Sequence, residues 1–375
     1  MEEGLLEEEK CIKDKKKFCI ILLIISNILL LTIIIILIFI FKINGKNDDD
    51  KNENKKESFD KYSFSATYNT ILGKQNLKLI NKLPHKDIMT CDITKMTVDD
   101  EEVMPSLNYT FPTEGNHIVN FWINITKCDS LDEMFSGMTY IFAMSFTENF
   151  NTKNIKSMER MFTDNLGLTS LDISTFNTEN VESLKYFLYY CIKLTSINLL
   201  NFNTKKVRNF DYMFDSCQSL TSIDVSSFNT ENAESMRIMF YGCNSLKSIN
   251  LSNFNTKNVL SMDYMFFECK SITSIDLSNF DNKKVTDMNF MFTNCESLKY
   301  LNISSFIKKD SYNMLIGCKS LSILDMSSFY DFNDNRDNPF KDFPNSGTIY
   351  INPNYTKYIE KYIPKGWEIK IVDYK

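Results

Sequence analysis

The chain has few of the residues that most often interrupt regular structure or carry chemistry. Its 375 residues include 10 glycines, 7 prolines and 2 histidines. Turns must therefore use Asn, Asp and Ser, while the abundant Phe (30), Met (18) and Tyr (18) must fill the interior. A net charge of −6 provides no basic surplus for phosphate contacts, so nucleic acid is excluded as a partner.

Motifs that carry catalysis or metal binding are also missing. The sequence has no glycine-rich phosphate loop, no paired-carboxylate motif and no HExxH motif, and neither His85 nor His117 lies near a nucleophile. No Cys-x-x-Cys or Cys/His pairing suggests a metal site. We therefore expect no enzyme, no metal and no cofactor.

One long apolar run stands near the N-terminus. Residues 18–41 are a run of 24 residues without a charged side chain. A run of this length can span a bilayer as a helix. A cleavable signal peptide would have a shorter apolar region and a small-residue cleavage site. Lysines precede the run and Asp48–Asp50 follow it, so the positive-inside rule places the N-terminus in the cytoplasm. This predicts a single-pass membrane protein with a cytoplasmic tail (1–17), a transmembrane signal anchor (18–41) and an ectodomain on the cell surface or in a lumen.

Two regions separate the apolar run from a long set of repeats. Residues 42–67 are polar and charged, which is typical of a linker. Residues 68–127 contain short alternating runs and predict a β-rich module that caps the N-terminal end of the repeats. Cys91 and Cys128 are the two outer cysteines that lie apart from the repeat register, and they form the best candidate disulfide pair.

Residues 128–339 repeat with a period of 26. One cysteine register shows the step: Cys191, Cys217, Cys243, Cys269 and Cys295, with Cys318 after 23 residues. In each unit a short alternating run such as Ile275–Leu277 predicts a strand, and apolar residues every three or four positions predict a helix. A register of threonines, with Asn282 in its last place, supplies the expected helix N-caps. The fold class predicted is α/β: a leucine-rich-repeat solenoid of about seven strand-turn-helix units.

The C-terminal residues 340–375 predict a cap for the solenoid. Gly347–Ile351 is expected as a last strand, residues 354–361 as a short helix and residues 367–372 as a closing strand. An uncapped solenoid end would expose apolar residues and strand edges to water.

The repeat consensus is clearest in residues 245–269, SLKSINLSNFNTKNVLSMDYMFFEC. It resembles the BspA-like leucine-rich-repeat surface proteins and the similar repeat domain of mycoplasma surface lipoproteins. Shared pieces are the strand-plus-Phe block, the Val-x-x-Met-x-x-Met-Phe segment and the following Cys-x-Ser-Leu. The resemblance implies surface display, with adhesion or host and matrix binding, and no catalytic residues. The chain departs from lipid-anchored relatives because no lipobox cysteine follows residues 18–41.

Two repeated features have simpler interpretations than a site. The repeat cysteines end an apolar stripe, where Cys behaves as a small buried hydrophobe; disulfides between neighbouring units are the alternative. The Met-Phe pairs recur in every unit at helical spacing, which favours a core over a cofactor-binding face.

Polar columns along the strands provide the candidate binding site. One column alternates carboxylate and amide, and a second carries hydroxyls. The proposed ligand-binding residues are Asp172, Asn198, Asp224, Asn250, Asp276, Asn302, Ser222, Ser248 and Ser274. The first column continues to Asp325. These columns could bind an extended glycan or peptide, or they could be a solvated face joined by hydrogen-bonded ladders.

Five sequons suit a secretory route: Asn108, Asn124, Asn250, Asn302 and Asn354. Glycans at Asn250 and Asn302 would block the proposed face. From the sequence we expect a membrane-anchored adhesion or binding protein that recognises an extracellular protein or glycan. The alternative is a structural or antigenic coat component without a defined ligand.

Overall fold

The computed structural model describes residues 62–71, 75–83, 92–307, 311, 313–329, 338, 340–354 and 356–372. The chain divides into two compact units, 1–59 and 60–375, and the described residues all belong to the second. In them, no helix is long and apolar enough to cross a membrane. The helix found there has 4 residues, about 6 Å against the roughly 30 Å of a bilayer core. The single-pass prediction is thus contradicted, and residues 18–41, on which it rested, lie outside the described residues.

The N-terminal module is built from antiparallel strands. They are β1 (Phe64–Thr70), β2 (Gln75–Lys78), β3 (Ile93–Val98), β4 (Glu101–Val103), β5 (Asn108–Phe111) and β6 (Gly115–Ile123). β1 pairs with β6 on one side and with β7 (Ile141–Phe146) on the other. Because β7 then pairs in parallel with the first repeat strand, the module covers the edge that the solenoid would otherwise expose.

His117 belongs to the structure of this module. Its side chain is buried, and its ring nitrogens lie 2.7 Å from Asp99 Oδ2 and 3.1 Å from the Thr113 carbonyl oxygen. The ring also stacks on Phe111 at 4.8 Å. Both polar atoms are therefore engaged within the module, as a buried histidine requires.

The repeats form a β-solenoid of about eight coils, so the predicted strand-turn-helix unit and the α/β class are wrong. In the segment expected to be helical, the N–H of Met213 donates to Phe210 O at 3.2 Å, which is a turn, while the N–H of Phe214 donates to Met239 O in the next coil at 2.9 Å. Tyr212 and Ser216 have φ of +59°. Consecutive turns place side chains inward every three or four residues, as a helix does, but they leave alternate N–H groups free to join the coils.

Short parallel strands form a second line of contact between coils. The repeat strands are β8 (Ser170–Asp172), β9 (Ser196–Ile197), β10 (Ser274–Asp276), β11 (Tyr300–Asn302) and β12 (Ile323–Asp325). They belong to two sheets, β4-β3-β6-β1-β7-β8-β9 and a five-stranded sheet that begins at β10. Strands were also expected around Ile223 and Ile249, where the described backbone has no regular strand.

The predicted N-cap threonines join neighbouring coils instead. Thr230 is 1% exposed; its hydroxyl donates to Asn255 O at 3.1 Å and accepts the Asn255 N–H at 2.8 Å. The same arrangement recurs at Thr152, Thr178, Thr204 and Thr256, with Asn282 using its amide. A buried hydroxyl thus satisfies two backbone groups that water cannot reach.

We expect Thr230→Val to lower the free energy of unfolding by about 2–4 kcal/mol, because it leaves the Asn255 N–H and C=O without a partner in a dry interior. Valine keeps the volume of threonine, so a cavity does not contribute. Denaturant unfolding would measure the change. Thr221→Val is the matched control, since Thr221 is exposed; equal losses in the two variants would contradict the coil-joining role.

The interior consists of stacked rows of identical residues. Phe214, Phe240, Phe266 and Phe292 stack with ring centroids 5.5, 5.5 and 5.8 Å apart. The cysteine row is buried and its thiols are free, which confirms the interpretation as small buried residues. Each thiol lies near a carbonyl of the preceding coil, as Cys269 Sγ does at 3.1 Å from Phe240 O, and burial raises the pKa of Cys318 to about 12.

The C-terminal cap has the predicted elements: β13 (Gly347–Ile351), helix α1 (Thr356–Ile359) and β14 (Trp367–Ile371). β13 and β14 extend the five-stranded sheet in parallel. Trp367 Nε1 donates to Pro344 O at 2.8 Å, and the Trp367 ring lies 2.7 Å from where a Cβ on Gly347 would stand. Glycine is needed there because the indole covers the end of the core.

Candidate functional site

Four members of the predicted carboxylate and amide column end repeat strands, namely Asp172, Asp276, Asn302 and Asp325, whereas Asn198, Asp224 and Asn250 lie outside regular strands. Asp276, Asn302 and Asp325 are register partners in β10, β11 and β12. In every member, however, Oδ1 accepts the N–H of the residue two positions later, as Asp224 does from Ser226 at 2.9 Å. The same bond is found at Asp172, Asn198, Asn250, Asp276, Asn302 and Asp325. These side chains close the turn after each strand, and hydrogen bonds from Ser226 lower the pKa of Asp224.

The hydroxyl column is exposed at Ser222, Ser248 and Ser274. In β10 and β11, Ser274 is the register partner of Tyr300. The sequon residues Asn108, Asn124, Asn250 and Asn354 are exposed, and Asn302 is half-buried. The strand columns are solvent-accessible, but one oxygen of each Asp or Asn already serves the backbone.

Cys128 is disulfide-bonded. Its predicted partner Cys91 lies outside the described residues, so the pair Cys91–Cys128 stays a prediction. Within the described residues, no group of three or more His, Cys, Asp or Glu side chains could hold a metal ion.

A second surface, not predicted from the sequence, lies on the turn segments. We call it the aromatic face; its half-buried or exposed rings are Tyr186, Tyr189, Tyr190, Tyr212, Tyr241, Tyr264, Phe267 and Phe290. Rings one coil apart stack: Tyr186 on Tyr212 at 4.3 Å and Tyr241 on Phe267 at 4.8 Å. The turns hold these side chains outward because the alternate positions carry the buried Met, Phe and Cys rows.

Two arginines lie over rings of this face, and one of them pairs with an acid beneath it. The guanidinium of Arg160 lies 4.1 Å from the Tyr186 ring centre, and that of Arg237 lies 6.0 Å from Tyr212. Arg237 also donates to Asp263 Oδ2 through two nitrogens, at 3.0 and 3.2 Å. The face therefore contains a complete arginine site: an aromatic ring, a buried carboxylate and a guanidinium between coils.

Three aspartates are buried on or under the aromatic face. Asp211 accepts from Ser235 and from the Arg237 N–H, and Asp263 binds Arg237. Asp215, 5% exposed, is different: its side chain accepts a hydrogen bond from the Ser216 hydroxyl at 2.8 Å, and no cation pairs with it among the described residues. Burial raises the pKa of Asp215 to about 7, against a smaller opposing effect of the Ser216 hydrogen bond.

Sequence reasoning missed this face because it treated the turn segment as a helix and looked only at the buried positions. A signal was present. Positions 189, 241 and 267 share one 26-residue register and carry Tyr, Tyr and Phe, although solvent-facing positions of a helix should be polar. Between positions 189 and 267 of that register, Asp215 is the member without a ring.

Comparison with known proteins identifies the repeat family. The family described as "Mycoplasma protein of unknown function, DUF285" matches residues 129–250 and 219–325, which together cover more than half of the chain. The chain belongs to this family. The match agrees with the resemblance to mycoplasma repeat proteins, whereas the narrower BspA-like assignment stays a prediction. No curated protein matches the sequence.

Two solved structures are similar to this DUF285 chain. An internalin from Listeria monocytogenes has a TM-score of 0.28 and 12% identity, over 65% of this chain and 69% of its own. A leucine-rich-repeat protein from Bacteroides ovatus has a TM-score of 0.20 and 13% identity, over 84% of this chain and 100% of its own. At these scores the similarity carries no argument about function.

Proposed function

We propose that this DUF285 protein is a recognition or adhesion protein that binds a protein or glycan partner, and that it is not an enzyme. The observation that carries the proposal is the aromatic face, where tyrosines stay partly accessible on a rigid stack of coils. Tyrosine and arginine dominate the energetics of recognition surfaces because they bury large areas and lose little conformational freedom. Hydrogen bonds between coils hold the rings in place before a partner arrives, which lowers the entropic cost of binding.

The strand columns are the less suitable surface. Their Asp and Asn Oδ1 atoms close turns, so a ligand would compete with the backbone for them or use only the second oxygen of Asp and the amide nitrogen of Asn. The aromatic face offers ring surfaces and hydroxyls that the fold leaves accessible.

The full chain, immobilised, should bind at least one member of a panel of matrix proteins and glycans saturably. The variant Tyr186→Thr/Tyr212→Thr should bind that member at least about 10-fold more weakly, since it removes two stacked rings from the surface. The control Asp224→Ala/Asn250→Ala/Asp276→Ala should bind like the parent. Loss of binding only in the control variant would indicate that the ligand binds the strand columns and not the aromatic face.

A structural or antigenic coat component, the alternative, predicts another result on the same panel. No member would then bind saturably, and the tyrosine variant would be indistinguishable from the parent.

A further inference from the structure

One edge of the coils carries charge in alternating stripes. This charged edge is formed by the positions one, two and four residues after each buried threonine that joins the coils. Backbone bonds hold these positions in line, since the N–H of Arg208 donates to Glu182 O at 2.9 Å and the N–H of Glu234 donates to Arg208 O at 2.8 Å. Successive stripes are therefore one coil apart, about 4.8 Å.

The sign of the charge changes at each of four successive coils, which we name by their buried threonines. The Thr152 coil is positive, the Thr178 coil negative, the Thr204 coil positive and the Thr230 coil negative. In the same order, the charged residues are Lys153 and Lys156; Glu179 and Glu182; Lys205, Lys206 and Arg208; and Glu231 and Glu234. The alternation weakens at the next coil, which has Lys257 beside the exposed Leu260, and it is lost at Lys283 and Lys284.

Few of these charges are used within the chain. Arg208 pairs with Glu234 at 2.7 Å, and within the coils that the structure describes no other ion pair joins two members of the charged edge. Of the nine charges on the four coils, the seven besides Arg208 and Glu234 are thus without an ion pair there. The row three positions beyond the edge is different, because its charges are engaged between coils: Glu159 accepts from Ser183, Asp211 accepts from Ser235 and Arg237 donates to Asp263.

The charged edge is accessible and leaves room for a facing side chain. Its nine charged residues on the four coils are exposed, except for Glu231, which is half-buried. Glu182, Lys206, Arg208 and Asn232 line a cleft of about 210 Å³. Because these four residues are exposed, a long side chain from a partner can enter the cleft.

The spacing of the stripes indicates what kind of partner fits. A matching surface must change sign about every 4.8 Å, which is the repeat of stacked coils, and this chain presents such a surface itself. When two charged edges face each other about a two-fold axis, the Thr152 coil lies against the Thr230 coil and the Thr178 coil against the Thr204 coil, each twice. All four contacts join opposite charges, whereas a slip of one coil would bring like charges together.

We infer that two copies of this chain associate through the charged edge, antiparallel and in this register. The inference goes beyond the proposed recognition function, since it concerns another surface and neither depends on the other. A two-fold contact closes at a dimer, whereas a parallel contact shifted by one coil would add copies without limit. Because the contacts are exposed ion pairs, the association is weak and sensitive to salt.

Analytical ultracentrifugation of the full chain over a range of concentrations tests the inference. At low salt the parent should form dimers, and raising NaCl from about 25 to about 300 mM should weaken the dimer at least about 10-fold. Association through an apolar surface would not weaken in this way. Lys205→Glu/Arg208→Glu and Glu179→Lys/Glu182→Lys should each dimerise at least about 10-fold more weakly than the parent, because each brings like charges together.

Mixing these two variants gives the decisive measurement. The negative Thr204 coil of the first variant then faces the positive Thr178 coil of the second, and their unchanged coils also attract each other. A mixed dimer should therefore recover most of the affinity of the parent. The control Lys247→Glu/Lys299→Glu makes the same change of net charge as the first variant, at exposed lysines outside the charged edge, and should dimerise like the parent.

A parent that stays monomeric at low salt, assembly beyond the dimer, or a mixture that associates no better than its components would each overturn the inference. None of these results alters the binding expected on the ligand panel, so failure here is distinct from failure of the proposed function. Unfolding curves of both variants show whether each still folds, and recovery in the mixture excludes misfolding as the cause of the lost association.

Discussion

Asp215→Asn should stabilise the folded chain at pH 8, on the order of 4 kcal/mol. The pKa of Asp215 is raised to about 7 in the folded chain, whereas an unfolded aspartate has a pKa of about 3.9. Because the raised pKa disfavours ionisation in the folded state, stability falls as pH rises from about 4 to about 7, and the full cost remains above that range. Asparagine keeps an oxygen for the Ser216 hydroxyl and carries no charge.

Denaturant unfolding of the parent and the variant from pH 4 to pH 8 measures this effect. The difference between them should be small at pH 4 and should grow through neutrality. Asp211 and Asp164 also have raised pKa values, both caused chiefly by burial, so the slope of the parent alone is not diagnostic and only the difference is. Asp276→Asn changes an exposed residue. The difference in stability between this variant and the parent should therefore not increase with pH. A pH-independent difference would contradict the assigned burial of an unpaired carboxylate.

Phe240→Ala should lower the free energy of unfolding by about 3–5 kcal/mol, the range found for deleting a fully buried ring. Phe240 is 0% exposed and stacks on Phe214 and Phe266, both at 5.5 Å, so the substitution also removes two ring contacts worth about 0.5–1.5 kcal/mol each. The adjoining coils would relax only partly, since their backbones are tied to further coils.

Chemical denaturation would give the size of that loss, and hydrogen exchange would give its location. Because a coil contacts only its neighbours, protection should fall most in the coils around residue 240 and least near the two caps. Phe290→Ala is the control, as Phe290 is half-buried on the aromatic face. A loss for Phe290→Ala as large as that for Phe240→Ala would mean that the stacked interior row is not the main source of stability.

Much of the fold could be predicted from spacing alone. The 26-residue step, the buried Phe, Met and Cys rows and the strands around Leu171, Ile275 and Leu301 result from periodicity, and so does the cap from Gly347 to Trp367. The prediction of a helix in each repeat was wrong, because a spacing of three or four residues fits consecutive turns as well as a helix. What distinguishes consecutive turns from a helix is the acceptor of a backbone N–H such as that of Phe214. Here the acceptor is the carbonyl of Met239, 25 residues later in the chain.

The candidate site was less accessible to sequence reasoning for a related reason. The bond from Ser226 N–H to Asp224 Oδ1 is local and could have been foreseen from the Asp-x-Ser pattern. Asp215 is seen between Tyr189 and Tyr241 only when three coils are set side by side. Asp215 is buried only because of the way the coils pack together, so the amino-acid composition does not reveal its burial.

The repeated bonding between coils has a genetic consequence. Most coils offer their neighbours the same hydroxyl, the same turn N–H groups and the same ring, so recombination between such repeats that removes or adds one 26-residue unit would rejoin matching partners. The core tolerates such exchanges, whereas a surface feature made by three successive coils is rearranged by them. In this way a gene can alter the surface of its product while the interior of the protein stays the same.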